Sequence, residues 1–289
     1  MKDLLRKTRE LLYDLLPHGL LMKIYFYLSL KRKLDLKNPK SFNEKICWYK
    51  LNYCSDNDLV VMCADKYKMR EYFDKKGLKQ YLVPQIGLWK NGNEIDFGTL
   101  PNEFVLKTNH GCHFNIVCTD KTIINKEEIV NKLNGWLKIK YGKLNVEPHY
   151  NKIEPLIICE KYIGDLNKNT MDYKLHCFNG KPCYFEVCHS RVIDGDALSS
   201  SYDIDWKKLK LYKYEEIEIE KPSCLKEMLN VASVIAADFP YVRIDFYILD
   251  NKPLIGELTF SPAGGMDRDL TFESDLKIGN IFNISNIKS

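Results

Sequence analysis

The chain has 289 residues, with 43 Lys or Arg against 39 Asp or Glu, so its formal net charge is +4 at pH 7. This near balance, together with 45% hydrophobic residues, excludes a disordered chain and a basic nucleic-acid-binding arm. We therefore expect a globular protein without a nucleic-acid partner, built as one large domain or two smaller ones.

The N-terminal region is rich in leucine, but charges interrupt it. Six leucines share one helical face: Leu4, Leu5, Leu11, Leu12, Leu15 and Leu16. We expect this face to pack on the body of the protein, although it is also compatible with peripheral contact with a membrane. Residues 20–30 contain Lys23 and are too few to span a bilayer.

Residues 1–80 are predicted to be mostly helical. Ser41 and Glu44 have the spacing of a capping box, and residues 64–77 have the pattern of a helix that stops at a glycine. From Phe104 the pattern changes, because FVLKTN and FNIVCT flank the loop NHGCH and so predict a hairpin. A further helix is predicted over residues 126–141.

The second half of the chain begins with PLIICEKYI, which predicts a buried strand. The next segment, DYKLHCFNGKPCYFEVCHSR, predicts a hairpin with its turn at Asn179-Gly180. A helix over residues 225–239 precedes two strands, YVRIDFYIL and PLIGELTF, which a short turn joins. Hairpins mixed with helices indicate an α+β fold, and the sequence contains no Rossmann, Walker A or HExxH motif.

Ten cysteines are spread along the chain without any CxxC pair. The densest group, Cys177, Cys183 and Cys188, has a spacing that fits no common zinc site. A chain of this length needs no covalent staples, so we expect reduced, mostly buried thiols and a cytoplasmic protein, with the inner face of the membrane as the alternative location.

Charged side chains recur at every second position of the last two predicted strands. Arg243 and Asp245 point the same way on the first strand, and Glu257 and Thr259 do so on the second. Because a short turn makes these strands antiparallel neighbours, two carboxylates and a guanidinium are expected on one sheet face. That set suits Mg²⁺, which prefers a few carboxylates together with phosphate oxygens, but a solvated strand face also explains it.

Two other segments are compatible with a nucleotide site. Lys107 ends a strand directly before a glycine-containing loop, where it can meet a phosphate, although a plain hairpin turn explains this loop equally well. The strand that ends at Glu160 can offer backbone groups to a purine edge, or it is simply a buried strand. His110 and His113 have no third ligand nearby, so we interpret them as polar loop residues and not as a metal site.

Seven phrases of the sequence, in this order, resemble the TupA-like (teichuronopeptide-biosynthesis) branch of the ATP-grasp superfamily, found among polysaccharide-biosynthesis proteins. The phrases are SFNEKICW, ADKYKMREY, VPQIGLW, FVLKTNHG, ICEKYI, DYKLHCFNGK and VRIDFY…GELTFSPAGG. The resemblance implies an α+β (α/β) ATP-grasp fold in which two α+β subdomains clasp the nucleotide. The implied divisions are a mostly helical N-terminal region (1–100), a central subdomain with the phosphate loop (101–165) and a C-terminal subdomain with the metal site (166–289).

The resemblance also implies roles for individual positions around bound ATP. Lys66 and Lys107 would contact the phosphates, and two groups of residues would surround the nucleotide. The loop over the phosphates would be His110, Gly111 and Cys112, and the segment beside adenine and ribose would be Glu160, Lys161, Tyr162 and Ile163.

Further roles concern the metal and the reacting groups. Arg243 would neutralise the transferring phosphoryl group, and Lys174 would approach the phosphates or the acceptor. The implied Mg²⁺ ligands are Asp245, Glu257 and Thr259, the last standing where many ATP-grasp ligases have Asn. The candidates for the acceptor pocket are His189, Arg191, Ser261, Gly264 and Gly265, with a surface ion pair as an equal alternative for Arg191.

The implied activity is an ATP-dependent carboxylate–amine ligase that forms an amide through an acyl phosphate. For this branch the implied carboxylate is a uronic acid of a capsular or cell-wall polysaccharide, and the amine is an amino acid or amino alcohol. The alternatives are a kinase of the same fold, a polysaccharide-biosynthesis protein carrying a glycosyltransferase label, and a binding module without chemistry. No DxD-type motif supports the glycosyltransferase, and the sequence does not predict the oligomeric state.

Overall fold

The computed structural model of the protein describes residues 2–164, 171–191, 197–213, 217–285 and 287. Within these ranges, residues 2, 190, 191 and 197 are described by their backbone alone. Helices gather at the N-terminus, and two antiparallel sheets follow one another along the chain.

The helices before the first strand are α1 (Lys2–Leu15), α2 (His18–Leu30), α3 (Phe42–Asn52), α4 (Asp58–Ala64) and α5 (Met69–Lys75). The predicted capping box is confirmed, since Ser41 and Glu44 exchange side chain-to-backbone hydrogen bonds at the start of α3. The predicted helix over residues 64–77 is too long. The chain turns between α4 and α5 because the Asp65 carboxylate accepts the N–H groups of Tyr67 and Lys68.

The α1 helix packs on the protein through part of its predicted leucine face. Leu12 and Leu16 contact a small core that includes Leu21, Met22 and Phe26 of α2. The other four leucines of that face, Leu4, Leu5, Leu11 and Leu15, are between 57% and 71% exposed. The helix therefore packs on the body of the protein as expected, but only through part of its leucine face. Within the described residues, no helix is long and apolar enough to cross a membrane.

The first sheet has four strands in the order β1-β4-β2-β3. They are β1 (Gln85–Trp89), β2 (Phe104–Thr108), β3 (Asn115–Cys118) and β4 (Ile157–Lys161), all paired antiparallel. The α6 helix (Lys126–Leu137) packs on one face of this sheet, against Phe104 and Leu106. Because side chains alternate along a strand, Lys107 and Glu160 lie on the opposite face. The short α7 helix (Tyr141–Leu144) connects α6 to the segment before β4.

The second sheet has six strands in the order β10-β9-β5-β6-β7-β8. They are β5 (Asp172–Phe178), β6 (Lys181–Arg191), β7 (Ala197–Asp203), β8 (Lys208–Leu209), β9 (Tyr241–Leu249) and β10 (Lys252–Thr259). The α8 helix (Leu225–Ala236) packs on this sheet, and α9 (Phe272–Ile281) packs on α3. The two hairpins predicted for this sheet, β5–β6 and β9–β10, are confirmed. Asn179 and Gly180 form the turn of the β5–β6 hairpin with positive φ angles.

The cysteines match the expectation from their spacing. All ten are free thiols, and most are buried. Cys183 is half-buried, and Cys112 is the exposed one. They act as small apolar side chains within the cores, with Cys112 set apart in the loop after β2.

Candidate active site

The charged residues of β9 and β10 meet on one face of the six-stranded sheet. In the register of these strands Asp245 stands opposite Glu257, and Arg243 stands opposite Thr259. The Arg243 guanidinium donates hydrogen bonds of 2.7 and 2.6 Å to the Asp245 carboxylate and one of 3.3 Å to the Thr259 hydroxyl. The same guanidinium lies 3.8 Å from Glu257. The predicted convergence of two carboxylates and a guanidinium is confirmed.

A β-bulge at Gly256 makes this convergence compatible with a buried core. The pairing register shifts by one residue between Ile255 and Glu257. A bulge of this kind reverses which face the following side chains point to. Ile255 and Leu258 therefore both lie in the core, although they are three residues apart, while Glu257 joins Asp245 on the polar face.

Lys66 brings the turn between α4 and α5 into this cluster. Its ammonium group lies 2.9 Å from the Glu257 carboxylate and donates a 2.6 Å hydrogen bond to the Gly111 carbonyl. The turn is fixed to the loop after β2, because the Asn109 side chain donates to Asp65 at 2.9 Å and the Lys66 N–H bonds to the Asn109 carbonyl at 3.1 Å. Segments far apart in the sequence thus meet at one point.

A second charged pair lies on the polar face of the four-stranded sheet. The Lys107 ammonium group is 2.6 Å from the Glu160 carboxylate, which is buried. Arg70 of α5 lies 3.9 Å from the same carboxylate and donates to the Val83 carbonyl. Arg70 was missed by the sequence reasoning. Its place in the same ADKYKMREY phrase as Lys66, four residues further on, is the signal that could have found it.

The two carboxylates of the β9–β10 cluster have very different pKa values. Burial alone would raise the pKa of Glu257, but the positive charges of Lys66 and Arg243 outweigh it and lower that pKa to about 2. Burial raises the pKa of Asp245 to about 7 against the charge of Arg243, and the neighbouring Glu257 carboxylate adds to the rise. Glu257 is accordingly the firmly ionised member of the pair.

The donor set fits a magnesium ion that arrives with phosphate. Asp245 and Glu257 face each other, and the Thr259 hydroxyl lies beside them. Among the residues that the structure describes, no group of three His, Cys, Asp or Glu side chains is placed to hold a metal. Magnesium commonly takes one or two carboxylates and completes its shell with water and substrate phosphates. Two carboxylates and a hydroxyl match that requirement, and they do not match a closed protein site.

Lys174 lies in the same polar face, next to Asp245 in the β5–β9 register. Its ammonium group is 3.0 Å from Glu186 on β6, and the same Glu186 oxygen also accepts from Ser199 at 3.1 Å and from Cys188 at 3.3 Å. Burial opposes ionisation of Glu186, but the charge of Lys174 holds its pKa well below the ordinary value. Glu186, which the sequence reasoning did not single out, therefore determines where Lys174 points.

The loop after β2 directs its side chains away from Lys66. The His110 ring is buried and bonds to the Ile139 carbonyl at 3.1 Å, and burial lowers the pKa of this histidine. Cys112 lies 2.6 Å from the Tyr141 hydroxyl. Gly111 has a φ of 94°, and a Cβ there would lie 2.6 Å from the Tyr141 ring, so only glycine fits. The loop thus presents its backbone to the Lys66 cluster.

The predicted adenine segment continues from β4. Lys161 has an exposed side chain, and its N–H bonds to the Pro84 carbonyl at 2.9 Å. Tyr162 and Ile163 are half-buried beyond the strand end. The backbone after Glu160 is therefore tied to the segment before β1, next to the Lys107–Glu160 pair.

The predicted acceptor residues do not form one group. Ser261 donates a 2.5 Å hydrogen bond to the buried Glu147, and the Gly264 carbonyl accepts one of 2.6 Å from Lys50 of α3. Gly265 accepts from the thiol of Cys47, also in α3, so this loop is packed against the helical region. His189, in contrast, lies on β6 and faces Ser200 of β7 at 3.5 Å. The Arg191 side chain lies outside the described residues.

Comparisons with known proteins show which family the chain resembles. A family model described as TupA-like ATPgrasp matches residues 44–283. No curated protein matches the sequence.

Solved structures that resemble the chain include three ligases. The D-alanine–D-alanine ligase from Bacillus anthracis complexed with ATP is 18% identical with a TM-score of 0.46, covering 76% of this chain and 62% of that one. The L-amino acid ligase from Bacillus licheniformis is 12% identical with a TM-score of 0.45, covering 70% and 44%. The D-alanine–D-alanine ligase from Helicobacter pylori is 14% identical with a TM-score of 0.42, covering 84% and 70%. The chain spans less than two thirds of the length of the first two structures.

Proposed function

The chain belongs to the TupA-like ATP-grasp family, and we propose that it is an ATP-dependent ligase that joins a carboxylic acid to an amine. The observation that carries this proposal is the meeting of Lys66, Arg243 and Glu257 from separate segments beside Asp245. Phosphoryl transfer requires cations and carboxylates that can hold Mg²⁺ close together, because the transferring group carries negative charge.

Each cation of the site already has a carboxylate partner, and this supports a phosphate-binding role. Lys66 is paired with Glu257, Lys107 with Glu160, and Arg243 with Asp245. Phosphate oxygens can replace these carboxylates as partners, so the side chains are held in place before the nucleotide arrives. Asp245, Glu257 and Thr259 would hold Mg²⁺, which when bound neutralises charge on the phosphate oxygens.

The reaction follows from these positions. A substrate carboxylate attacks the γ-phosphorus in line, ADP leaves, and the Arg243 guanidinium stabilises charge on the phosphoryl group. The amine then attacks the acyl carbon of the resulting acyl phosphate, and inorganic phosphate leaves as the amide forms. Lys66 donates a hydrogen bond to the Gly111 carbonyl, so the loop around Gly111 is next to the proposed phosphate site. In this proposal the loop shields the acyl phosphate from water.

For the substrates we propose a hexuronic acid of a capsular or cell-wall polysaccharide as the carboxylate, and an amino acid or small amino alcohol as the amine. The branch of the family to which the chain belongs supports this choice. Lys174 approaches the acceptor in this proposal, because it lies on the polar face next to Asp245. We also propose that the chain divides into an N-terminal region (1–100), a central subdomain (101–165) and a C-terminal subdomain (166–289).

The test is an ADP-release screen of uronic acids against amino acids and amino alcohols with Mg-ATP, followed by mass detection of the amide. Parallel reactions with hydroxylamine replace the amine, because hydroxylamine traps an acyl phosphate as a hydroxamate. ADP release with hydroxamate formation supports the ligase. A phosphorylated product that resists hydroxylamine would identify a kinase, and thermal stabilisation by UDP-sugars but not by Mg-ATP would identify a sugar-nucleotide enzyme; either result rejects the proposal.

A further inference from the structure

The outer surface of α2 carries a row of exposed apolar side chains. Leu20, Ile24, Tyr27 and Leu28 are 48%, 40%, 54% and 57% exposed. Their spacing of four, three and one residues places them on one helical stripe, while Leu21 and its neighbours face the core on the opposite side. The α2 helix is therefore apolar on both sides, and only one side is covered.

The α1 helix carries exposed leucines of its own. Leu4, Leu11 and Leu15 repeat at helical spacing, and Leu5 lies beside them. Among the described residues, half of the large exposed apolar side chains fall within residues 4–28, and the other half are spread over the remaining chain. Scattered exposed apolar residues are ordinary, whereas a cluster of this kind marks an interaction surface.

Positive charge borders the α2 stripe, and negative charge is missing from it. Residues 15–34 contain no Asp or Glu. Lys23 lies three residues from Leu20 and four from Tyr27, so it is next to both on the exposed side of α2, and Lys31 is the residue at which the helix ends. Lys23, Lys31 and the following Lys33 are exposed, and within the described part of the chain none of them forms a close ion pair, unlike Arg32, which is 2.6 Å from Asp275. Asp35 is near enough to Lys23 for the two charges to interact, but the lysine stays exposed.

We propose that the outer face of α2 docks on the surface of an anionic lipid bilayer. An apolar stripe with lysines at its edges suits the boundary between headgroups and acyl chains, where the lysines meet lipid phosphates. Each lysine near such a surface strengthens the attraction to anionic lipid.

A second copy of this chain is a poorer occupant of the same face. Packing α2 against α2 would bring the lysines of both copies together without a carboxylate in residues 15–34 to meet them. The charges therefore favour a lipid surface, and the inference does not depend on the proposed ligase activity.

The test is sedimentation of the full chain with two kinds of vesicle, phosphatidylcholine alone and an equal mixture with phosphatidylglycerol. We expect the protein to bind the anionic vesicles, to bind the neutral ones weakly, and to lose binding as salt is raised, because salt screens the lysine–phosphate attraction. In the variant Ile24→Glu with Leu28→Glu, binding should fall by at least roughly tenfold, since two carboxylates would have to enter the interface.

Two further variants separate the contributions. Lys23→Glu with Lys31→Glu should abolish the preference for anionic lipid. Ile123→Glu is the matched control, because Ile123 is 80% exposed but lies beyond β3 in the four-stranded part, and its binding should equal that of the parent. The proposal is overturned if the α2 variant binds as well as the parent. It is also overturned if the parent does not bind the anionic vesicles, and a dimer that the α2 variant dissociates in light scattering would then assign this face to a second copy of the chain.

Discussion

Glu257 receives a cation at each of its two carboxylate oxygens. Lys66 is 2.9 Å from one oxygen, and Arg243 is 3.8 Å from the other. Lys66 comes from the α4–α5 turn and Arg243 from β9. Glu257 therefore forms ion pairs with both the N-terminal helical region and the six-stranded sheet. A carboxylate whose pKa is lowered to about 2 stays ionised throughout the neutral range, as a metal ligand must.

The first prediction removes that charge without changing the shape of the side chain. In Glu257→Gln we expect ATP turnover to fall by roughly 100-fold or more, the scale on which one transition-state electrostatic contact acts. The variant should still fold, but with a lower unfolding midpoint, because Lys66 and Arg243 each lose a carboxylate partner. ADP release measured beside thermal unfolding distinguishes lost chemistry from lost folding. The control is Glu273→Gln in the first turn of α9, and full activity in Glu257→Gln would refute the metal assignment.

Lys107 offers a separate test of the phosphate site. Its ammonium group forms an ion pair of 2.6 Å with the Glu160 carboxylate on the polar face of the four-stranded sheet. In Lys107→Ala we expect the Kd for Mg-ATP to rise at least about tenfold, which corresponds to roughly 1.4 kcal/mol. Calorimetric titration measures it, with Lys90→Ala as the control, since that side chain is 78% exposed at the end of β1. Unchanged affinity would remove Lys107 from the nucleotide site.

At the scale of elements, the loop after β10 joins the sheet to α3 through a glycine. Gly265 has a φ of 75°, and a Cβ there would lie 2.7 Å from the Cys47 Sγ atom and 3.0 Å from the Cys47 backbone nitrogen. We expect Gly265→Ala to lower the free energy of unfolding by more than about 1 kcal/mol, because both the backbone angle and the space oppose a side chain. Urea unfolding measures the change.

A matched glycine substitution should have the opposite sign. Gly135 lies inside α6, and a Cβ there would meet nothing within 4 Å. Gly135→Ala should raise the free energy of unfolding by roughly 0.5–1 kcal/mol, because alanine restricts the unfolded chain and favours the helix. If both variants unfolded like the parent, the tight contact between Gly265 and α3 would be in doubt.

Local patterns predict the elements well where neighbouring residues determine the structure. The Ser41 capping box, the Asn179-Gly180 turn and the polar face of β9 all follow from spacings of a few residues. The break between α4 and α5 was missed, because the Asp65 carboxylate stops the helix by binding N–H groups that a helical pattern assigns to the backbone. Local structure can therefore be predicted from the sequence, unless a side chain competes for the hydrogen bonds of a helix.

The partners of the site residues could not be read from the sequence in the same way. Lys66 and Glu257 are paired although 191 positions separate them, and only the packed fold brings them together. The contact between Glu186 and Lys174 depends on how β5 and β6 pair. The exposure of the α1 leucines depends on how much of that helical face the rest of the protein covers. Residue types and faces are thus predictable, whereas their partners require the tertiary structure.

At the scale of the whole molecule, a buried polar group connects the helical region to both sheets. Lys50 of α3 is fully buried and donates 2.6 Å hydrogen bonds to the carbonyls of Asn145, before β4, and Gly264, after β10. Glu147 is buried nearby and accepts from Ser261, and burial raises its pKa. His149 follows in the same segment, fully buried, and among the residues that the structure describes neither of its ring nitrogens finds a hydrogen-bond partner.

The burial of His149 predicts a contribution to stability that depends on pH. Burial, and then the charge of Lys50, lower the pKa of His149 to about 3, so the folded protein keeps this ring neutral. The unfolded chain takes up the proton near its ordinary pKa of about 6.5, so stability is lost as the pH falls below that value. Between about pH 7.5 and about pH 5.5 the loss through this residue should be about 1 kcal/mol.

Comparison of the parent with His149→Gln isolates this contribution, because other buried groups titrate in both proteins. Burial raises the pKa of Asp267 to about 6, and a carboxyl that binds its proton more tightly when folded gains stability as the pH falls through that value. The parent alone can therefore show little net change, while the difference between the two proteins still reports His149. Urea unfolding at both pH values should give a free energy of unfolding that falls by about 1 kcal/mol more in the parent than in the variant. Parallel pH dependence would mean that the ring is not held neutral where helices and sheets meet.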